Sequence, residues 1–300
     1  MRELDFAYVG LGVHEEVVYS VADELGYYAD EGVRVSIRDG VRWDDDRLRQ
    51  AAVVGLGRTL LIRLLAGTPW TMLCVNTQRP LFWLMARAEF SDVSELRGRR
   101  VAMHPALVAP GCFARIILRG RGLDPDADIE AVPMHPGDYS EHVRLLERGE
   151  LDAAVIGSTL SPEQLAAEEG LALLLFFGDE LQIPTTGVAV DPSVLPLDDP
   201  RVEGLVRANL RALGALLDDP ALGAEHVGRL LPRADAASAR DFYDRYVGAH
   251  FRAHGQPDPQ VVARALGPVA QELRIITGRP VDVPPAEEIY RSELTAAWAP

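Results

Sequence analysis

Short apolar runs of strand length alternate with segments of helical period through the first 190 residues of this chain, and beyond them only helical period remains. That switch limits the fold more than any other feature. Residues 3–10, Glu-Leu-Asp-Phe-Ala-Tyr-Val-Gly, alternate polar and apolar and end on glycine, which predicts a strand entering a loop. Val17, Val18, Val21, Ala22 and Leu25 recur at helical spacing within 14–28, and 33–37 reads as a second short strand. A β-α-β opening is the unit of a parallel sheet.

The alternation continues with a helical stretch over 46–66, interrupted at Gly55-Leu56-Gly57. Strands follow at 70–75, 81–86, 101–103, 128–133, 151–156, 171–177 and 187–190, with helices at 112–119 and 142–148. Ser161-Pro162-Glu163-Gln164 opens another helix with a Ser cap, Pro at the first helical position and Gln three residues after the cap. The unbroken apolar run 171–177 predicts a parallel strand buried on both faces. From Pro200 onward the helical segments are 201–217, 221–231, 236–254 and 258–274. The expected architecture is α/β with two lobes, one from residues 1–87 and 192–300, the other from 88–191, the helical C-terminal segment returning to the first. With 300 residues and 48% apolar content the chain can fill both cores.

Charge narrows the partners. The net charge of −15, from 45 acidic and 30 basic residues, argues against nucleic acid, which calls for a basic face. Every basic residue is Arg, so Schiff-base and lysine general-base chemistry are excluded, and anion recognition by side-chain charge falls to Arg. The two cysteines, Cys74 and Cys112, lie within or beside apolar runs and read as buried thiols, not as a disulfide or metal framework. No G-x-S-x-G, P-loop, complete G-x-G-x-x-G or H-E-x-x-H occurs, and His135 and His142 lack metal-ligand spacing. No cofactor or metal is therefore expected. No apolar stretch reaches the roughly 20 residues of a membrane span. The segment from Met1 to Asp5 enters a strand with no signal-peptide core, so the expected compartment is cytoplasmic, or extracytoplasmic if a leader was trimmed.

Three segments, in register, resemble the type II periplasmic-binding-protein superfamily, in the branch that takes thiamine precursors, aliphatic sulfonates, taurine and nitrate. They are Ala22-Asp-Glu-Leu-Gly-Tyr-Tyr-Ala-Asp-Glu-Gly-Val-Arg-Val-Ser-Ile37, Leu96-Arg-Gly-Arg-Arg-Val-Ala102 with Arg121-Gly-Leu-Asp-Pro125, and Leu146-Glu-Arg-Gly-Glu-Leu-Asp-Ala-Ala-Val155. The resemblance implies a small-molecule binding protein of the ABC-transporter substrate-binding type, closing by hinge motion, with a transporter permease as a partner. Two departures matter. The cysteine-rich motif of the pyrimidine-synthesising branch is absent, and the second-lobe loop His104-Pro-Ala-Leu-Val-Ala-Pro-Gly111 is apolar where relatives often carry hydroxyls. Loss of hydroxyl donors disfavours a small hydrated anion and favours an organic acid or heteroaromatic ligand with an apolar body.

In such folds the ligand meets the carboxyl ends of strands and the N-termini of helices. That rule nominates Gly12, His14 and Glu15 after the first strand, where a plain β-α turn is the competing reading. Arg58, Gln78 and Arg79 lie beside glycines or between apolar runs, and either Arg suits a carboxylate unless it is merely solvated. His104 and Gly111 open the second-lobe helix; Ser158 and Thr159 follow 151–156; Thr185 and Thr186 stand where the chain turns back. No residue set has specific catalytic spacing, so binding is preferred to catalysis. The alternatives are an enzyme on the same fold, a lyase or decarboxylase of an aromatic or cyclic carboxylate, or a ligand-sensing partner protein.

Overall fold

The computed structural model describes residues 2–10, 12–133, 139–231 and 233–299. Its strands are β1 (Arg2–Tyr8), β2 (Val33–Asp39), β3 (Ala52–Gly55), β4 (Thr71–Thr77), β5 (Phe82–Arg87), β6 (Arg100–Met103), β7 (Glu130–Pro133), β8 (Ala153–Gly157), β9 (Leu171–Phe176) and β10 (Thr186–Val190). The helices of the α/β part are α1 (Val13–Glu24), α2 (Tyr27–Asp30), α3 (Asp45–Leu48), α4 (Leu56–Ala66), α5 (Ala109–Gly120), α6 (Tyr139–Glu147), α7 (Pro162–Glu169) and α8 (Phe177–Glu180). The tail adds α9 (Pro200–Asp218), α10 (Pro220–Leu230), α11 (Ala236–Phe242), α12 (Pro259–Thr277), α13 (Ala286–Ile289) and α14 (Ser292–Trp298).

The chain packs as two units: Met1–Gln78, Ile183–Arg264 and Asp282–Pro300 form the first, Arg79–Gln182 and Ala265–Val281 the second. Unit one holds the sheet β2-β1-β3-β10-β4, in which β1 runs parallel to β2 and β3 while β10 runs antiparallel to β3 and β4. Unit two holds β7-β6-β8-β5-β9, with β6 parallel to β7 and β8, and β5 antiparallel to β8 and β9. The helical stripe read from the sequence covers unit one's sheet: Val17, Val18, Val21 and Ala22 of α1 are fully buried. Ser161 caps α7 as its motif predicts, its hydroxyl accepting from the Gln164 N–H at 3.4 Å.

Four expectations change. The helical reading of 46–66 hides β3, a four-residue strand buried throughout between β1 and β10. An apolar run this short has no period to distinguish strand from helix, and β-branched Val53 and Val54 suit the strand. The run 171–177 is not buried on both faces: β9 is an edge strand and Leu173 is 40% exposed. The helix expected over 236–254 stops at Phe242 and continues as a π turn, Tyr243–Val247, and a 3₁₀ turn, Gly248–His250. Gly223 and Gly248 leave room there for the Tyr243 ring, which a Cβ at either position would overlap.

The fourth change concerns boundaries, set at 87/88 and 191/192 by sequence and at 78/79 and 182/183 by packing, which places β5 in unit two and β10 in unit one. Residues 265–281 also leave the tail for unit two. Glu272 of α12, 2% exposed, accepts from Arg115 Nε at 2.7 Å and Arg119 Nε at 2.9 Å, both on α5.

Candidate functional site

In unit one the carboxyl end of β1 and the first turn of α1 fold onto each other through Glu15. Its Oε2 accepts from the backbone N–H of Gly10 at 3.0 Å and of Val9 at 3.3 Å. Burial pushes its carboxyl up to about 8, against the pull of those two N–H donors, so it is held largely protonated at neutral pH. Gly12 begins α1 in extended backbone, and its carbonyl accepts from the Glu15 and Glu16 N–H groups at 3.0 and 3.1 Å. His14 beside it is buried, and burial pushes its imidazole down to about 3.

The start of β10 completes this corner. Thr186 pairs with Gly55 and Thr77, and the Thr185 carbonyl accepts from Leu56 N at 2.9 Å and Gly57 N at 3.3 Å. Those bonds occupy amides of the first turn of α4, and α1 carries Glu15 and Glu16 in its own first turn. The first turns of α1 and α4 are thus poorly suited to an anion. Thr186 Oγ1 is buried with no hydrogen-bond partner among the described residues.

Arg58 braces the chain. Its Nη1 donates to the Gly40 and Val41 carbonyls at 3.2 and 3.3 Å, and its Nη2 to Trp43 O at 2.6 Å. Gln78 is buried, and its Oε1 accepts from Asp258 N at 2.5 Å. Arg79 belongs to unit two and pairs with Asp179 at 2.9 Å. Each of the two arginines already has protein acceptors.

Unit two gathers the remaining candidates. His104, 4% exposed, follows β6, and its Nε2 lies 3.1 Å from the Tyr139 hydroxyl at the start of α6. Phe82, opening β5, meets the His104 ring edge-on with centroids 6.0 Å apart, and Phe177 lies 6.0 Å from Phe82 in a tilted contact. Tyr139 is 5.6 Å from His104 and 5.8 Å from His142. Burial, and then the neighbouring His142, push the His104 imidazole down to about 3. Four of these five rings are buried, and Phe82 is partly exposed.

Two glycines permit this arrangement. A Cβ on Gly157, at the end of β8, would stand 2.5 Å from Tyr139 Oη; one on Gly111 would stand 2.6 Å from the His104 carbonyl and closer still to that of Pro105. Ser158 is buried beyond Gly157, and Thr159 is half-buried. α5 begins with no side-chain cap and no acidic residue in its first turn, although Pro110 there has no N–H to offer.

Sequence reasoning missed Tyr139, Phe82, Phe177 and the role of His142. The strand-end rule, applied to β7 and β9, points toward Tyr139, which opens α6, and Phe177, which opens α8. His135 lies outside the described residues. Among those residues no group of three or more His, Cys, Asp or Glu is placed to hold a metal, and no helix is long and apolar enough to cross a membrane.

Comparisons with known proteins agree with the fold. The fold matches the periplasmic aliphatic sulphonate binding protein SsuA from Escherichia coli with a TM-score of 0.70 at 16% identity, over 94% of this chain and 90% of that one. It matches the alkanesulfonate-binding SsuA from Xanthomonas axonopodis pv. citri, bound to MOPS, at 0.68 and 14% identity, over 100% and 98%. The desulfurization enzyme DSZB matches at 0.68 and 15% identity, over 99% of both chains. No curated protein sequence matches the chain. The sequence model described as NMT1/THI5 like matches residues 15–222, so this α/β chain, with the periplasmic-binding-protein fold, belongs to the NMT1/THI5-like family.

Proposed function

We propose that the chain is a small-molecule binding protein whose ligand is an organic acid with an aromatic or heteroaromatic body. One observation carries the reading: Phe82, His104, Tyr139, His142 and Phe177 gather at the start of β5, just after β6, in the first turn of α6 and at the start of α8. Rings in edge and tilted contact are the walls that an aromatic ligand extends. The acidic group belongs at the uncapped first turn of α5, a few residues after His104. Arg79 and Arg58 are assigned no part in holding it, because both are engaged by the protein itself.

Binding is favoured over turnover by the chemistry of the buried groups. Burial pushes both thiols, Cys74 and Cys112, up to about 12 and both imidazoles, His14 and His104, down to about 3, which makes them weak nucleophiles and bases at neutral pH. The sulfonate-binding names of two similar structures support an acidic ligand and, further, delivery to a transporter permease. The periplasmic setting named for the Escherichia coli protein supports the extracytoplasmic alternative.

Titration calorimetry with aromatic carboxylates and sulfonates, against sulfate and nitrate, tests the reading. At least one aromatic acid is expected to bind with micromolar affinity and a negative heat-capacity change, the mark of apolar burial. Binding of sulfate or nitrate with every aromatic acid inert contradicts it.

A further inference from the structure

The proposed ligand site contains a buried polar atom with no partner among the described residues. His104 Nδ1 is buried and makes no hydrogen bond among the described residues, while Nε2 of the same ring lies 3.1 Å from Tyr139 Oη. A buried polar atom without a partner is costly, and native proteins keep few of them without a reason. The ring is also held in place. Phe82 meets it in a T-shaped contact, Tyr139 in a tilted one, and Gly157 and Gly111 make room for the Tyr139 ring and the His104 backbone. Two glycines and a tyrosine fix an imidazole whose second nitrogen has no hydrogen-bond partner among the described residues.

Resting on the binding function proposed above, we propose that His104 is a specificity-determining residue: its Nδ1 reads an uncharged hydrogen-bonding group on the ligand's ring, while the ligand's acid lies elsewhere. The neutral imidazole carries one proton. If Tyr139 donates to Nε2, Nδ1 bears the proton and takes a ring nitrogen or carbonyl. If Tyr139 accepts, Nδ1 is the acceptor and takes a hydroxyl or amine. An anion at this point would stand beside two imidazoles, His104 and His142, with the nearest arginine of the loop before β5, Arg79, already paired to Asp179. An uncompensated buried charge is disfavoured there.

The test uses the full chain and defined probes: benzoate; 2-, 3- and 4-hydroxybenzoate; 4-aminobenzoate; and nicotinate. In the native protein one ring-polar probe is expected to bind at least about tenfold tighter than benzoate, the discrimination a single buried hydrogen bond provides. His104→Asn keeps an amide near the position of Nδ1 and should retain that preference. His104→Gln places its amide near Nε2, toward Tyr139, and should reduce the ratio to within about twofold, as should His104→Phe. The Asn and Gln variants have similar polarity, so a difference between them reports the position of the hydrogen bond rather than folding; melting curves of each confirm the folded state. Native-like preference in the Gln and Phe variants overturns the inference while leaving aromatic-acid binding intact. Equal affinity of every probe for the native protein does the same. Failure of these probes and of the aromatic sulfonates to bind removes the binding function and this inference together.

Discussion

Glu272→Ala is expected to destabilise unit two by about 3–5 kcal/mol, the cost of removing one partner from a buried ion pair. Glu272 is 2% exposed and is shared by two arginines of α5, through Arg115 Nε and Arg119 Nε. Without the carboxylate, the Arg115 side chain, 9% exposed, keeps only Asp126 as an acidic partner among the described residues. The same contact fixes α12: residues 259–264 pack with unit one and 265–277 with unit two. The variant should therefore lower the unit-two transition in guanidinium-free urea unfolding and leave unit-one probes nearly unmoved. Exchanging Glu272, Arg115 and Arg119 together for apolar residues of similar volume should recover most of the loss, because the penalty lies in the stranded charge rather than in the missing pair. A loss below about 1 kcal/mol in Glu272→Ala would show that the pair behaves like an exposed one.

Gly111→Ala is the second large effect, and it reaches the site. A methyl group there would press into the backbone carbonyls of His104 and Pro105, and backbone cannot swing aside as a side-chain tip can. Overpacking of this kind costs on the order of 1–3 kcal/mol, and a clash with two carbonyls belongs at the upper end. Relief requires the 104–105 segment to move away from α5, which takes the His104 ring from its contacts with Phe82 and Tyr139. The expected result is a lower melting temperature together with at least about tenfold weaker aromatic-acid binding, since a misplaced anchor forfeits its hydrogen bond. Gly120→Ala, on the same helix and with nothing near its Cβ position, is the control and should be neutral or slightly stabilising. Normal affinity in Gly111→Ala would separate the loop from the site.

Local signals in the chain were legible where one segment decides the outcome. Val17, Val18, Val21 and Ala22 announce the buried face of α1, and Ser161-Pro162 announces the start of α7. Ala52–Gly55 was not legible, because four apolar residues carry no period and only the pairing of Val53 with Ala7 and Ala189 makes them a strand. Nor was the return of 265–281 to unit two, which depends on Glu272 meeting arginines about 155 residues earlier in the chain, a separation at which periodicity is silent. For the site, the strand-end rule found His104 and Gly111 without Tyr139 or Phe82, because it names loops and not the side chains that meet there. Arg58 shows the converse. A fork suited to a carboxylate is equally suited to three backbone carbonyls, and sequence cannot say which of the two surrounds it.

Hydrogen–deuterium exchange with and without a saturating aromatic acid, chosen by calorimetry, locates the ligand most directly. A ligand at the ring cluster should slow exchange in peptides covering 104–112 and 139–142 and leave the tail helices α9 to α11 unchanged. Protection confined to those tail helices, with 104–112 and 139–142 exchanging as in the free protein, would contradict a ligand site built on Phe82, His104 and Tyr139.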